Sequence, residues 1–302
     1  MAKDQRQTPS GDVHAIVREV LGGAAPEAGP SGLGWMDEAE PEKPGNSSGW
    51  ARPGSRPRAA DKDVEQARHI QHQLLPAPPR MPGLTCAARF EPHHEVSGDF
   101  YDFFQLPDGR LGVVQGDVSG HGVGAGMVMA MAKQTIRMLA STGSPPAKVL
   151  IEANRWLHGA MAGKFVSATY LVIDPGVGEM RLARAGHTPL VLVNAATGAR
   201  EVLAPKGIAL GIREPAAFAS GTEELRRGLR PADLLVLVTD GILEAQDRLG
   251  EEFSIERMAD VVVQHAPAGP EAVVNRILDA ARHFGGSAKL EDDAMAVAVS
   301  FG

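Results

Sequence analysis

The stretch Leu111-Gly112-Val113-Val114-Gln115-Gly116-Asp117-Val118-Ser119-Gly120-His121-Gly122 decides how this 302-residue chain is read. Leu111 to Gly116 has the character of a strand, and the glycines at 116, 120 and 122 clear side chains from the approach to Asp117. Met127 to Leu139 follows, apolar nearly all round, as a buried helix would be. A carboxylate therefore sits where a strand turns into a helix, with room for a metal ion or a phosphate beside the backbone. Two rivals for this segment fail. Gly120-His121-Gly122-Val123-Gly124-Ala125 matches the dinucleotide pattern G-x-G-x-x-A, but that pattern needs an acid about twenty residues on. None occurs between Val118 and Ile151. A nucleophile elbow would need glycine two residues before Ser119, where Asp117 stands, and no phosphate-binding Walker sequence is present.

One Asp-Gly turn is most simply a turn, but the arrangement recurs. Asp99 follows Ser97-Gly98, Asp240 lies in Thr239-Asp240-Gly241 after the apolar run Leu234 to Val238, and Glu291-Asp292-Asp293 precedes a closing strand, Ala294 to Phe301. Carboxylates at the ends of several strands suit a hard, oxygen-loving cation such as Mg²⁺ or Mn²⁺, which makes a metal-dependent hydrolase the leading expectation. Alternation sets Phe100 and Asp102 on the face opposite Asp99 and Tyr101, so Asp99 is the expected ligand and Asp102 a supporting or turn residue. Of Asp292 and Asp293, one is expected to point inward. Glu244 is either a helper or a solvated acid, and the pair His93-His94 reads as an exposed loop feature. Cys86 is the sole cysteine, which excludes an internal disulfide and a thiolate metal cage.

Bulk composition narrows the class. The 30 basic and 37 acidic residues give a net charge of −7, which argues against general nucleic-acid binding. No apolar run is long enough to span a bilayer, and the start is charged, so no membrane association and a cytoplasmic location are expected. Residues 1–60, rich in Pro, Gly, Ser and Glu, read as a disordered or partner-binding tail containing one helical island at Val13, Ile16, Val17, Val20 and Leu21. Residues 61–76 read as an amphipathic linker helix with Val64, Ala67, Ile70 and Leu74 on one stripe, stopped by Pro76. That stripe packs either on its own domain or on a second copy. Residues 77–302 form the main domain. Strands are expected over 84–91, 99–106 and 111–116, then an antiparallel meander over 165–173, 180–185 and 190–193, and strands over 234–238 and 294–301. Helices are expected over 127–139, after Pro145-Pro146, and over 255–263 and 270–284. Short hairpins and clustered helices give a layered α+β domain.

The ordered set Ile70-Gln71-x-x-Leu74-Leu75-Pro76, Ser97-Gly98-Asp99-Phe100-Tyr101-Asp102, Gly116-Asp117-Val118-Ser119-Gly120-His121-Gly122, Ala185-Gly186-His187-Thr188-Pro189, Thr239-Asp240-Gly241 and Asp292-Asp293 resembles the bacterial PPM serine/threonine phosphatases, within them the SpoIIE/RsbU group. The resemblance covers about Asp61 to the C-terminus. It implies an α/β/β/α sandwich of two antiparallel sheets flanked by helices, with two Mn²⁺ or Mg²⁺ ions. Carried over, it makes Asp117 the bridging acid and the Val118 carbonyl a further ligand. Asp99, Asp240 and Asp292 become the remaining ligands, with Asp293 beside the last. The implied activity is hydrolysis of phosphoserine or phosphothreonine by a hydroxide bridging the two ions. The implied substrate is a phosphorylated anti-sigma factor antagonist, with control by an activating partner or a homodimer through residues 61–75. The alternative is a phosphatase-like interaction module that binds a phosphoprotein without turnover. Ser119 stands where eukaryotic relatives place a histidine, Ser97 where a second glycine is usual, and Met295 where threonine is frequent. The general acid is left unassigned. Arg89 is a candidate for holding the substrate phosphate, against the simpler reading of a surface arginine, and His187 is expected to hydrogen bond within its turn.

Overall fold

The computed structural model describes residues 59–302, and the tail expected over residues 1–60 falls almost wholly outside the described residues. Among the described residues, eleven strands form two antiparallel sheets. The first runs in the order β1 (Arg80–Met81), β2 (Leu84–Glu91), β11 (Ala294–Phe301), β10 (Asp233–Val238), β7 (Leu190–Asn194), β8 (Arg200–Leu203). The second runs β3 (Phe100–Gln105), β4 (Leu111–Val118), β5 (Val166–Asp174), β6 (Glu179–Ala185), β9 (Glu224–Gly228). Among the described residues, no helix is long and apolar enough to cross a membrane.

Period-two alternation sorts the strand residues into three cores. Tyr101, Phe103, Leu171, Leu235, Leu237, Val297 and Val299 meet between the sheets. From the opposite faces, Phe100, Phe104, Val114 and Tyr170 pack under helices α2 (Val123–Ala140) and α3 (Pro146–Leu157). Leu234, Val236, Ala296 and Ala298 pack under α6 (Ser254–His265) and α7 (Pro270–Gly285). The helical stripes match: α7 buries Val273, Val274, Ile277, Leu278 and Ala281, at the three-to-four spacing that lays one face on a sheet. The result is the four-layer sandwich that the resemblance implies.

Two expectations are corrected. The meander over 165–193 breaks, because β5 and β6 pair in one sheet while β7 crosses to the other and pairs with β10 and β8. The residues that carry the crossover are Gly186-His187-Thr188-Pro189. Helix α2 is not buried all round: Met127 and Met138 are 71% and 61% exposed. In the linker helix, α1 (Ala59–Leu74), Ile70 of the apolar stripe is exposed and the polar Gln71 is buried. A short helix, α5 (Asp240–Leu243), carries the third acid, and α4 (Pro215–Gly221) lies over α3.

Candidate metal centre

Each sheet brings two acid-bearing segments to the same edge of the sandwich. In the second sheet Phe100 pairs with Gly116, which sets Asp99, just before β3, across from Asp117 near the end of β4. In the first sheet Val238 pairs with Ala296, so Asp240 emerges beside Asp292 and Asp293. Glycines let these segments close on one another. A Cβ on Gly98 would lie 2.5 Å from the Val118 carbonyl oxygen and 3.1 Å from Asp117 Oδ1, and one on Gly241 would collide with the Asp293 carbonyl. Both glycines are needed for close approach, not for unusual torsion.

The electrostatics show the convergence. Asp99 is buried, and its carboxyl is held well above the usual carboxylate range, by burial first and then by the charges of Asp117, Asp240 and Asp293. Asp117 is pushed up to about 7, again by burial first, with Asp240, Asp292 and Asp293 adding to it while contact with Asp99 pulls partly back. Asp99 Oδ2 is buried with no hydrogen-bond partner. Buried polar atoms are rarely left so, and a cation is the partner that also relieves the repulsion. The all-oxygen donor set of Asp99, Asp117, Asp240, Asp292, Asp293 and the Val118 carbonyl fits a hard divalent ion. Within the set the acids are not equivalent. Asp292 and Asp293 offer ligand atoms within 4.8 Å of each other and of a His94 nitrogen. Asp99, Asp117 and Asp240 stand as a neighbouring group, linked to these two through their charges. Of the final pair, Asp293 is the one that points inward; Asp292 is exposed.

Supporting residues explain several sequence departures. Ser97 replaces a glycine usefully, because its Oγ accepts the Asp99 amide at 2.9 Å. The Gln71 side chain brackets Ser97, donating to its carbonyl at 2.7 Å and accepting its N–H at 3.0 Å. The linker helix is thereby fastened to the loop that carries Asp99. The register of a single polar residue inside an apolar stripe gave no warning of this. Gln71→Ala is expected to leave two buried backbone groups unpaired, costing about 1–3 kcal/mol. It should weaken metal affinity measured calorimetrically while far-UV circular dichroism stays native. Asp102 is directed away from the acids into α2, where Lys133 and Arg137 bind it. Ser119 is occupied structurally: its Oγ accepts the Phe165 amide at 3.0 Å, and its carbonyl accepts Lys164 Nζ at 3.0 Å.

The crossover turn holds the centre from behind. His187 is buried, and burial together with the Arg184 cation pushes it down to about 3, so it is neutral. Its Nδ1 bonds Ser167 Oγ at 2.8 Å, and its Nε2 faces Gln115 Oε1 at 3.4 Å. Thr188 Oγ1 donates to the Val238 carbonyl, and Thr239 Oγ1 accepts the Met295 amide at 3.0 Å. These bonds fix the end of β10 from which Asp240 projects. Beside Asp292 opens a groove of about 340 Å³ lined by Arg89, Phe90, Glu91, His93, Arg282 and Lys289 among others. Arg282 is engaged by Glu91 and Asp279, whereas Arg89 makes one long contact with Glu91 and is 54% exposed along its side chain.

His94 is the residue the sequence reading placed wrongly. Its loop is not merely exposed: His94 is half-buried beside Asp292 and Asp293, and its ring stacks flat on His121 at 3.9 Å. The signal lay in the register, since Glu91 pairs with Ala294 and so lays the loop after β2 against the acids before β11.

Comparison with known proteins bears on the fold and the family. The chain is 28% identical over 263 residues to protein IcfG of Synechocystis sp., a match covering 77% of this chain and 40% of that protein. It is 27% identical over 188 residues to the phosphoserine phosphatase RsbP of Bacillus subtilis, covering 61% of this chain and 45% of that one. The matches thus span less than half the length of these curated relatives. The solved structure of the RsbU and RsbW domains of Rv1364c from Mycobacterium tuberculosis superposes with a TM-score of 0.62 at 27% identity, covering 74% of this chain and 61% of that one. The pattern of the stage II sporulation protein E (SpoIIE) family matches residues 107–302, and the chain belongs to that family.

Proposed function

We propose that this protein is a metal-dependent protein phosphatase acting on phosphoserine or phosphothreonine. The observation that carries the reading is the convergence of acids from both sheets on one edge, with Asp99 and Asp117 held far above their ordinary range. Such crowding is costly without cations and is expected where cations belong. Membership of the SpoIIE family and likeness to a phosphoserine phosphatase support the same chemistry.

Divalent ions held there would lower the pKa of an attacking water and offset charge on the phosphoryl oxygens. The protein's own part is to position. Asp99, Asp117, Asp240, Asp292, Asp293 and the Val118 carbonyl would hold two Mn²⁺ or Mg²⁺ ions, with one Asp293 oxygen also anchoring the loop beside them. No side chain need serve as nucleophile, and the Ser119 hydroxyl is already occupied. The groove beside Asp292 is suited to the phosphorylated segment of a substrate protein, with Arg89, held only by one long contact to Glu91, as a cation that could meet the phosphate. Arg89→Ala is therefore expected to raise KM about tenfold with kcat little changed, as for loss of one charge-assisted hydrogen bond. Steady-state kinetics on a phosphopeptide checks this.

The substrate protein proposed is a phosphorylated anti-sigma factor antagonist. Control is proposed to come through α1, by an activating partner or a second copy seated on Ile70 and its neighbours and read out through Gln71. The deciding experiment presents a phosphorylated antagonist with Mn²⁺ to the full chain and to its Asp240→Asn variant. Release of phosphate by the first and not the second is expected. Binding without release by both would instead establish an interaction module.

A further inference from the structure

We propose that His94 is a nitrogen ligand of the cation held by Asp292 and Asp293, and that it biases this centre towards Mn²⁺ over Mg²⁺. This rests on the reading that the acids hold divalent ions, and adds a donor that the aspartate set does not contain.

Three observations carry it. The His94 nitrogen and one oxygen each from Asp292 and Asp293 lie within 4.8 Å of one another. Donors around a single ion with bonds of roughly 2.0–2.2 Å lie at most about 4.4 Å apart as an opposed pair and about 3.8 Å apart as an even trio, so a closing of up to about 1 Å brings all three onto one ion. Next, His94 Nδ1 is buried without a hydrogen-bond partner, and among the described residues no hydrogen bond or ion pair joins the imidazole to either carboxylate. An ordinary loop histidine turns its nitrogens to water or to a partner, so the orphaned Nδ1 calls for another account. Finally, the ring is pre-set. It stacks on His121 at 3.9 Å and 7°, and meets His93 edge-on at 4.8 Å. Its backbone is pinned because Asp293 Oδ1 accepts the His93 and His94 amides at 2.7 and 3.3 Å, and His93 Nδ1 bonds the Leu290 carbonyl at 2.9 Å. With Oδ1 so engaged, Asp293 keeps Oδ2 for an ion.

The selectivity follows from ligand chemistry. Mg²⁺ dehydrates reluctantly and favours carboxylate and water, whereas imidazole suits first-row transition ions. Replacing one oxygen donor by nitrogen therefore gains more for Mn²⁺ than for Mg²⁺. Outer partners of metal ligands are worth about 10- to 100-fold in affinity, and a ligand itself should be worth no less.

The test uses the full chain stripped of metal at neutral pH and loaded with Mn²⁺. Pulsed electron paramagnetic resonance should show coupling to one ¹⁴N nucleus that disappears in His94→Ala but survives in His93→Ala and His121→Ala. Calorimetry should show at least tenfold weaker Mn²⁺ binding by His94→Ala, with Mg²⁺ affinity unchanged. Mn²⁺ binding by the wild-type chain without nitrogen coupling overturns the His94 assignment and leaves the carboxylate centre standing. Failure to bind Mn²⁺ at all overturns both. Should His94→Ala not fold, coupling in the wild type that persists in both other histidine variants still assigns the nitrogen to His94, and loss in either of them refutes it.

Discussion

Asp117→Asn is expected to abolish Mn²⁺-dependent phosphate release, by at least about a thousandfold, while making the metal-free protein more stable above neutral pH. The loss follows if a shared acid of the centre supplies several kcal/mol of charge stabilisation through its cations, since about 4 kcal/mol corresponds to three decades of rate. The gain follows from the sign of the titration. In the folded, metal-free chain Asp117 is pushed up to about 7 by burial and by Asp240, with Asp292 and Asp293 adding. Unfolded, it titrates near its ordinary value of about 4. Between these values the folded state holds a proton that the unfolded state releases, so raising the pH favours unfolding. The penalty is absent below about pH 4, grows through the window, and is complete above about 7, at on the order of 1.4 kcal/mol for each pH unit crossed. Asparagine carries no such penalty. Urea denaturation in a chelator across this window should show the wild type losing stability relative to the variant. Adding Mn²⁺ should reverse the order, because only the wild type gains binding free energy. Parallel pH profiles would show that Asp117 does not share the crowded cluster.

The interior of this fold was legible because its pattern is local. Leu84–Glu91 and Ala294–Phe301 read directly as short runs bounded by turn residues, and α6 and α7 as longer segments, the second ended by Gly285-Gly286. Two of the strands that escaped notice, β8 and β9, are edge strands: Arg200–Leu203 and Glu224–Gly228 carry charge on exposed positions, and β1 at the opposite edge is two residues long. Edges are kept charged and short to prevent intermolecular pairing, which erases the alternation a reader relies on. The jump of β7 to the other sheet was invisible for a different reason. A turn such as Gly186-His187-Thr188-Pro189 looks the same whether the chain returns alongside or crosses over, and the choice is made by long-range pairing with β10. The acids were legible because each stood at a strand end with glycine or another acid beside it. Gln71 and His94 were not, because their roles depend on contacts 26 and about 200 residues away.

Asp102→Ala is expected to cost about 3–5 kcal/mol of folding stability, the largest single effect on the scaffold outside the apolar cores. Its side chain is fully buried on the helix-facing side of β3, where Lys133 Nζ donates at 2.9 Å and Arg137 donates to both oxygens at 2.9 and 3.0 Å. Arg137 is 44% exposed along its side chain and can turn to solvent, but Lys133 is 3% exposed and cannot. Truncating the acid therefore strands a buried ammonium, and the cost comes from that uncompensated charge more than from the lost attraction. Asp102→Leu combined with Lys133→Met removes both charges at similar volume and should recover most of the loss, giving a coupling energy of several kcal/mol in a double-mutant cycle. Additive losses would mean that the pair is solvated and that burial does not set its energy. The pair also bears on the centre, since α2 begins directly after the Asp117 loop and is tied to β3 through Asp102. If the ions serve to hold α2 in register, the double variant should fold stably yet bind Mn²⁺ more weakly than the wild type. Retained affinity would assign them to folding stability alone.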